Sequence, residues 1–273
     1  MVAHGSAFPV AKLALNNSVP PILMASLRMG IVFIILLPFL NFTLPQKKYF
    51  KPLIYFSFSM GVMVYVFMNL SLYYSSIISP IILGSQLAIP FGILASAFIL
   101  NENISKNKWI LIFTSFLGII IIFFDPKLSK NLLGLFFASL MALFFGLAQV
   151  YSRQLNKLPI SLINASTGIF GFLILMFISI IIEGNLYSNF KMINTESWIL
   201  ISYQALIVSL CAHLLMFYLY KFYTVGRIFP FYSLFPIFGI ILTYLVFGEV
   251  PTLLFILGSI IVITSVFFIH KIK

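Results

Sequence analysis

Runs of roughly 20 apolar residues recur along this chain, each long enough for an α-helix to cross the ~30 Å hydrocarbon core of a bilayer. The run from residue 160 to residue 182 holds no charged side chain at all. Hydrocarbon offers backbone groups no hydrogen-bond partner, so a chain crossing it is confined to α-helices or a closed β-barrel. Barrel strands alternate apolar and polar positions over ~10 residues, whereas these runs are continuous. Charged residues make up 8% of the chain, against about 25% in soluble domains. No soluble fold of this length hides so much apolar surface. The expected fold class is therefore an all-α integral membrane protein, with the lipid bilayer as its surroundings.

Ten spans are expected: Val2–Leu15, Pro21–Leu40, Leu53–Ser75, Pro80–Leu100, Trp109–Phe124, Leu132–Tyr151, Ile160–Ile182, Trp198–Tyr220, Arg227–Phe247 and Thr252–Ile269. Their connections are short and carry Pro, Asn, Lys or Gly, so no extramembrane domain is expected. The first span is short and holds His4, Ser6, Pro9 and Lys12. It reads either as a packed, cavity-lining helix or, preferably, as one from which some N-terminal residues are missing.

A net charge of +11 invites a nucleic-acid reading. The bases are scattered singly between apolar runs, so no nucleic-acid partner is expected. They instead orient the chain, because cytoplasmic loops of membrane proteins carry an excess of Lys and Arg. With the N-terminus placed in the cytoplasm, eleven of the sixteen bases face inward: Lys47, Lys48, Lys51, Lys106, Lys108, Arg153, Lys157, Lys221, Arg227, Lys271 and Lys273. Lys12, Lys127, Lys130 and Lys191 face outward, and Arg28 lies within a span. Four acids (Asp125, Glu183, Glu196 and Glu249) lean outward against one, Glu102, inside. Both termini are thus expected in the cytoplasm, in a plasma membrane that for a bacterium is the inner one.

The chain also repeats itself. Leu72–Ile104 reads LYYSSIISPIILGSQLAIPFGILASAFILNENI and Leu219–Pro251 reads LYKFYTVGRIFPFYSLFPIFGIILTYLVFGEVP. Each has a Leu-Tyr start, a mid-segment proline (Pro90, Pro236) and a terminal acid (Glu102, Glu249), and the blocks lie 147 residues apart. Ten spans divide into two sets of five, residues 1–128 and 129–273. Five is odd, so the second set enters from the opposite side, and the repeats are inverted. Such repeats are a mark of secondary transporters, in which one site opens to either face with similar energy.

Several stretches resemble a known family. The opening HGSAFPVAKLALNNSVPPILMASLRMG, with His4-Gly5-Ser6, Lys12, Pro20-Pro21 and Arg28, is similar to the start of the EamA family in the drug/metabolite transporter superfamily. Leu100-Asn101-Glu102 and Phe247-Gly248-Glu249 resemble its repeated hydrophobic-Gly/Asn-Glu ending, and Tyr151-Ser152-Arg153 its sixth-span ending. The family's usual Trp is His4 here. The resemblance implies ten helices in two inverted five-helix repeats and transport of small polar metabolites or drugs, without fixing a substrate.

Arg28, about two turns into its span, costs a few kcal/mol unless it pairs, snorkels or meets water. It reads as an anchor for an anionic substrate group or as a structural arginine on backbone carbonyls. Gln86 and Tyr232 each stand four residues before a proline, Pro90 and Pro236. Proline frees a carbonyl in the preceding turn, and in a membrane that group needs a neighbour or cavity water. Gln86, Tyr232 and Ser233 are therefore cavity candidates, with Pro90 and Pro236 as helix breaks, or the prolines only bend packed helices. Tyr65, Asn69 and Tyr73 share one face of the third span, and Ser209, His213 and Tyr220 one face of the eighth. These stripes line a cavity or bond between helices, and Asn69 and His213 are the site candidates among them. His213 titrates near physiological pH, which allows proton coupling, although a buried neutral His is the commoner case. Glu102 reads as interfacial, near Lys106.

No P-loop is present, so ATP drive by this chain is not supported, and no metal-ligand spacing or cofactor motif is seen. The expected function is a secondary active transporter of a small polar or amphipathic metabolite, such as an amino acid or a drug, working by alternating access as a monomer or homodimer. The alternatives are a facilitative exchanger or channel, and a membrane-embedded lipid-modifying enzyme. The enzyme would need clustered acids, histidines or serines, and the five acids here are dispersed.

Overall fold

The computed structural model describes residues 1–40, 45–212, 215 and 234–271, and every regular element among them is helical. A four-residue turn of helix, Val2–Gly5, leads into α1, Ala7–Asn16. Next come α2 (Pro21–Phe39), α3 (Lys47–Tyr73), α4 (Ser79–Ile99), α5 (Lys106–Phe123), α6 (Leu132–Gln154), α7 (Ile160–Ile182) and α8 (Thr195–Ala212). The last two are α9, Phe235–Phe247, and α10, Leu253–Lys271. By length and composition α2 to α8 are seven helices able to cross a membrane, and α9 and α10 hold shorter apolar stretches. The chain is a multi-pass membrane protein.

Three details depart from the expected spans. The first is broken at Ser6, where Pro9 lacks the N–H that would bond the carbonyl of Gly5. The third begins at Lys47 rather than Leu53. A seven-residue helix, Leu186–Met192, occupies the connection before α8. Asparagines start both elements: the side-chain oxygen of Asn185 accepts from the Tyr187 N–H at 2.9 Å, and that of Asn194 from the Ser197 N–H at 2.8 Å. Each satisfies an orphan donor of the first turn. The eighth and ninth expected spans run in part outside the described residues.

Helices at equivalent places in the two halves pack antiparallel. The Ser26 hydroxyl of α2 donates to the carbonyl of Phe172 in α7 at 3.1 Å, and Glu183, just past α7, meets the start of α2. Thr114 of α5 and Ser265 of α10 are hydrogen-bonded at 2.8 Å. One to two turns along, a Cβ on Gly258 would stand 2.6 Å from the carbonyl oxygen of Gly118. Lipid tails provide no hydrophobic drive between helices, so close backbone approach at small residues does that work. The outer faces of α5 and α10 expose Phe113, Leu117, Ile256 and Ile260, as a hydrocarbon solvent requires.

The repeat also marks the winding. A π-helical stretch runs from Ser57 to Met63 within α3, and another from Gln204 to Ala212 within α8. Their first residues are 147 apart, the interval that also separates Glu102 from Glu249 and the start of α5 from the start of α10.

Candidate functional site

The start of α2 is held from two sides. Glu183 takes the N–H groups of Ile22 and Leu23 on its two carboxylate oxygens, at 2.6 and 2.8 Å. Orphan donors and the positive end of the helix dipole favour an anion there. On the other side the Asn69 amide of α3 donates to the carbonyl of Pro21 at 2.8 Å, leaving its own side-chain oxygen without a partner. Asn69, a cavity candidate from the sequence, thus has at least one structural bond.

Further along α2, Arg28 is only 3% exposed. Its Nε donates to the Ser209 hydroxyl at 2.9 Å and its Nη1 to the Gln204 side-chain oxygen at 2.5 Å. The guanidinium lies 4.4 Å from the ring centroid of Tyr65, an attractive cation–π arrangement. Three elements converge here: α2 supplies the charge, α3 the ring, and the π stretch of α8 the two polar partners. Among the described residues the structure joins Arg28 to neutral side chains.

Sequence reasoning missed Gln204, and the winding explains why. Gln204 and Ser209 are five residues apart, which in an α-helix places them about 140° from one another. A π turn bonds residue i to i+5 and stacks them instead. The usable signal was the repeat, since Gln204 is the counterpart of Ser57, where α3 changes winding.

Gln86 sits at the expected break in α4. Residues Ser85–Leu87 wind as a 3₁₀ turn inside the helix, four residues before Pro90 removes a backbone donor. The side chain is 2% exposed, and neither its amide nitrogen nor its oxygen has a partner. No hydrogen bond links it to the Arg28 cluster. Pro236 lies in the first turn of α9. Tyr232, Ser233, His213 and Tyr220 lie outside the described residues. Tyr73 does not continue the stripe of Tyr65 and Asn69: it is 54% exposed and meets the ring of Tyr74 edge-on.

The two repeated acids behave differently. Glu249 accepts from the N–H groups of Ile78 and Ser79 at 2.8 and 3.1 Å, and from the Ser79 hydroxyl at 3.0 Å, capping α4. Glu102 pairs with Arg153 at the end of α6, at 2.8 and 3.1 Å, rather than with the nearby Lys106 expected from sequence. The hydroxyl of Ser96 and the Arg153 guanidinium hold the Glu102 carboxyl below the usual carboxylate range. At the opposite ends, Lys12 donates to the carbonyls of Leu72 and Ser75, both at 2.7 Å, closing the end of α3. No group of three or more His, Cys, Asp or Glu able to hold a metal ion occurs among the described residues.

No curated protein matches the chain. Among the solved structures that match, a crystal structure has a TM-score of 0.62 at 13% identity, over 97% of this chain and 93% of that one. At that identity the likeness shows a shared fold. The profile of the EamA-like transporter family matches twice, over residues 1–124 and 132–270, one match to each half. The doubled match, on a chain with seven helices long and apolar enough to cross a membrane, makes this chain a member of the EamA-like transporter family, of the drug/metabolite type.

Proposed function

We propose that the chain is a secondary carrier that moves a small polar or amphipathic metabolite by alternating access. In this reading ten helices cross the membrane as two inverted five-helix repeats, residues 1–128 and 129–273. Both termini are cytoplasmic, and the membrane is the plasma membrane, in bacteria the inner one. Glu102 and Arg153 then face the cytoplasm, while Asp125, Glu183 and Glu249 face outward.

The observation that carries this reading is the antiparallel packing of equivalent helices, α2 with α7 and α5 with α10. Helices related by inversion can exchange their arrangements, and the exchange turns a site from one face to the other. Buried polar groups at the breaks support it. Gln86 lacks any partner inside an apolar helix, and π turns, which interrupt α3 and α8, occur frequently at functional sites.

Counterflow in proteoliposomes tests the proposal. Purified protein is reconstituted with each of a panel of unlabelled amino acids and related metabolites inside, and entry of the labelled compound is followed. A carrier gives trans-stimulated entry of at least one compound. Entry that is equal with and without internal substrate points to a channel and overturns the carrier reading.

A further inference from the structure

The environment of Arg28 is one charge short of neutral. The whole chain has five acidic residues, all of them among the described residues, and none reaches Arg28. Glu102 pairs with Arg153. Asp125 binds the Lys127 N–H and the Thr252 hydroxyl. Glu183 and Glu249 cap α2 and α4. Glu196 lies in the first turn of α8, two turns before Gln204. Arg28 is nonetheless buried, and its polar partners, Ser209 and Gln204, are uncharged. A buried, unneutralised guanidinium is destabilising, and that penalty is a free energy an arriving anion removes.

The site also lacks an acceptor. Gln204 turns its oxygen to Arg28, and its buried amide nitrogen is left with no partner. A donor without an acceptor thus stands on the same amide that orients the guanidinium. Both deficits, one negative charge and one acceptor, are met by the same ligand chemistry. Among the described residues Arg28 is the one base in the cluster, which matches a single negative charge.

We infer that Arg28 and Gln204 form the anion-binding end of the substrate site, and that the substrate carries a single carboxylate. Arg28 Nη and Gln204 Nε2 donate to the carboxylate oxygens. Ser209 and the ring of Tyr65 fix the plane of the guanidinium. The repeat interval explains why the site is single: the counterpart of Gln204 is Ser57, whose hydroxyl faces that of Thr167 at 3.3 Å. This inference rests on the carrier reading for the word substrate, but the binding chemistry is testable without transport.

Acetate is the probe. Purified protein is titrated with acetate at constant ionic strength, with chloride as the balancing anion and no other carboxylate present, and its melting temperature is followed. A ligand that binds the folded state raises that temperature. The expected result is a saturable rise in the wild type. In Arg28→Gln the half-saturating acetate concentration increases about tenfold to a hundredfold, as for a lost charge-assisted hydrogen bond. Gln204→Glu supplies the missing carboxylate from within, so it melts higher than wild type without acetate and no longer responds to acetate. This second variant keeps the test decisive should Arg28→Gln fail to fold. An acetate response that survives in Gln204→Glu, or a wild type that does not respond, overturns the inference. Counterflow of uncharged metabolites with no acetate response leaves the carrier standing and removes the anion site. An acetate response without counterflow does the reverse.

Discussion

Glu102 and Glu249 stand 147 residues apart at the ends of equivalent helices, yet only Glu249 caps another helix. Its two oxygens take the first N–H groups of α4, while Glu102 lies at the surface against Arg153. The same residue at the same place in each repeat thus makes a backbone clamp at one end of α4 and an exposed ion pair at the other. Sequence repeats need not be identical in structure at every equivalent position.

Glu249→Gln is expected to cost about 1–3 kcal/mol, because a carboxylate bound to backbone N–H groups makes charge-assisted hydrogen bonds. Glu102→Gln is expected to cost under about 1 kcal/mol, the usual range for an exposed pair. Thermal unfolding of both variants in detergent checks the order. Equal losses, or a larger loss for Glu102→Gln, would contradict the assignment of the clamp.

The Glu102 pair has a pH signature. Its carboxyl is held below the usual range by the Ser96 hydroxyl and by Arg153, so the folded state binds its proton less readily than the unfolded chain. The stabilisation is present in full above the unfolded value of about 4.3 and is lost as pH falls through the lower folded value. Melting curves of wild type and Glu102→Gln should differ slightly at pH 7 and converge at acid pH. A gap that widens on acidification would reverse the sign and remove the argument. Since the pair is exposed, salt should shrink the gap.

Gln86→Leu separates stability from function. The amide is buried with both polar atoms unpartnered, a state that costs about 1–3 kcal/mol. An apolar side chain of similar size removes that cost, so the variant should melt at or above the wild-type temperature. If Gln86 faces the transport path, counterflow falls in the same protein. A variant that is clearly less stable would mean that the amide has a structural role.

Gly258→Ala probes the α5–α10 seam. The new methyl would lie 2.5 Å from an Ile122 side-chain carbon and 2.6 Å from the Gly118 carbonyl oxygen. The isoleucine can turn, but the carbonyl cannot move without parting the helices. A loss of about 1–3 kcal/mol is expected, as for overpacked sites, read as reduced melting temperature and monodispersity. Gly84→Ala serves as a control for added volume, since Gly84 is in right-handed helix and a Cβ there meets only the Ala138 Cβ at 3.4 Å, an ordinary contact.

Much of this architecture could be read directly along the chain. Apolar runs placed α2 and α4 to α7 within a few residues at both ends, because a bilayer imposes one length on every crossing, while α3 begins six residues earlier than expected. The proline at position 90 foretold a break near Gln86, since a missing N–H acts within a single turn. Arg28 was legible as well, because an intramembrane charge is costly wherever it lies. These signals are local, and composition or spacing carries them.

The partners of those residues were not legible. Gln204 meets Arg28 only because α8 changes from α to π winding, which brings residues five apart onto one face. Glu102 selects Arg153 over Lys106, four residues away in sequence, because parallel packing of α4 and α6 brings their ends together. Asn69 binds Pro21 across helices for a similar reason. Length, crossing and repeat follow from the solvent and the order of residues. Which side chains touch follows from helix winding and crossing geometry, which form only when distant segments pack.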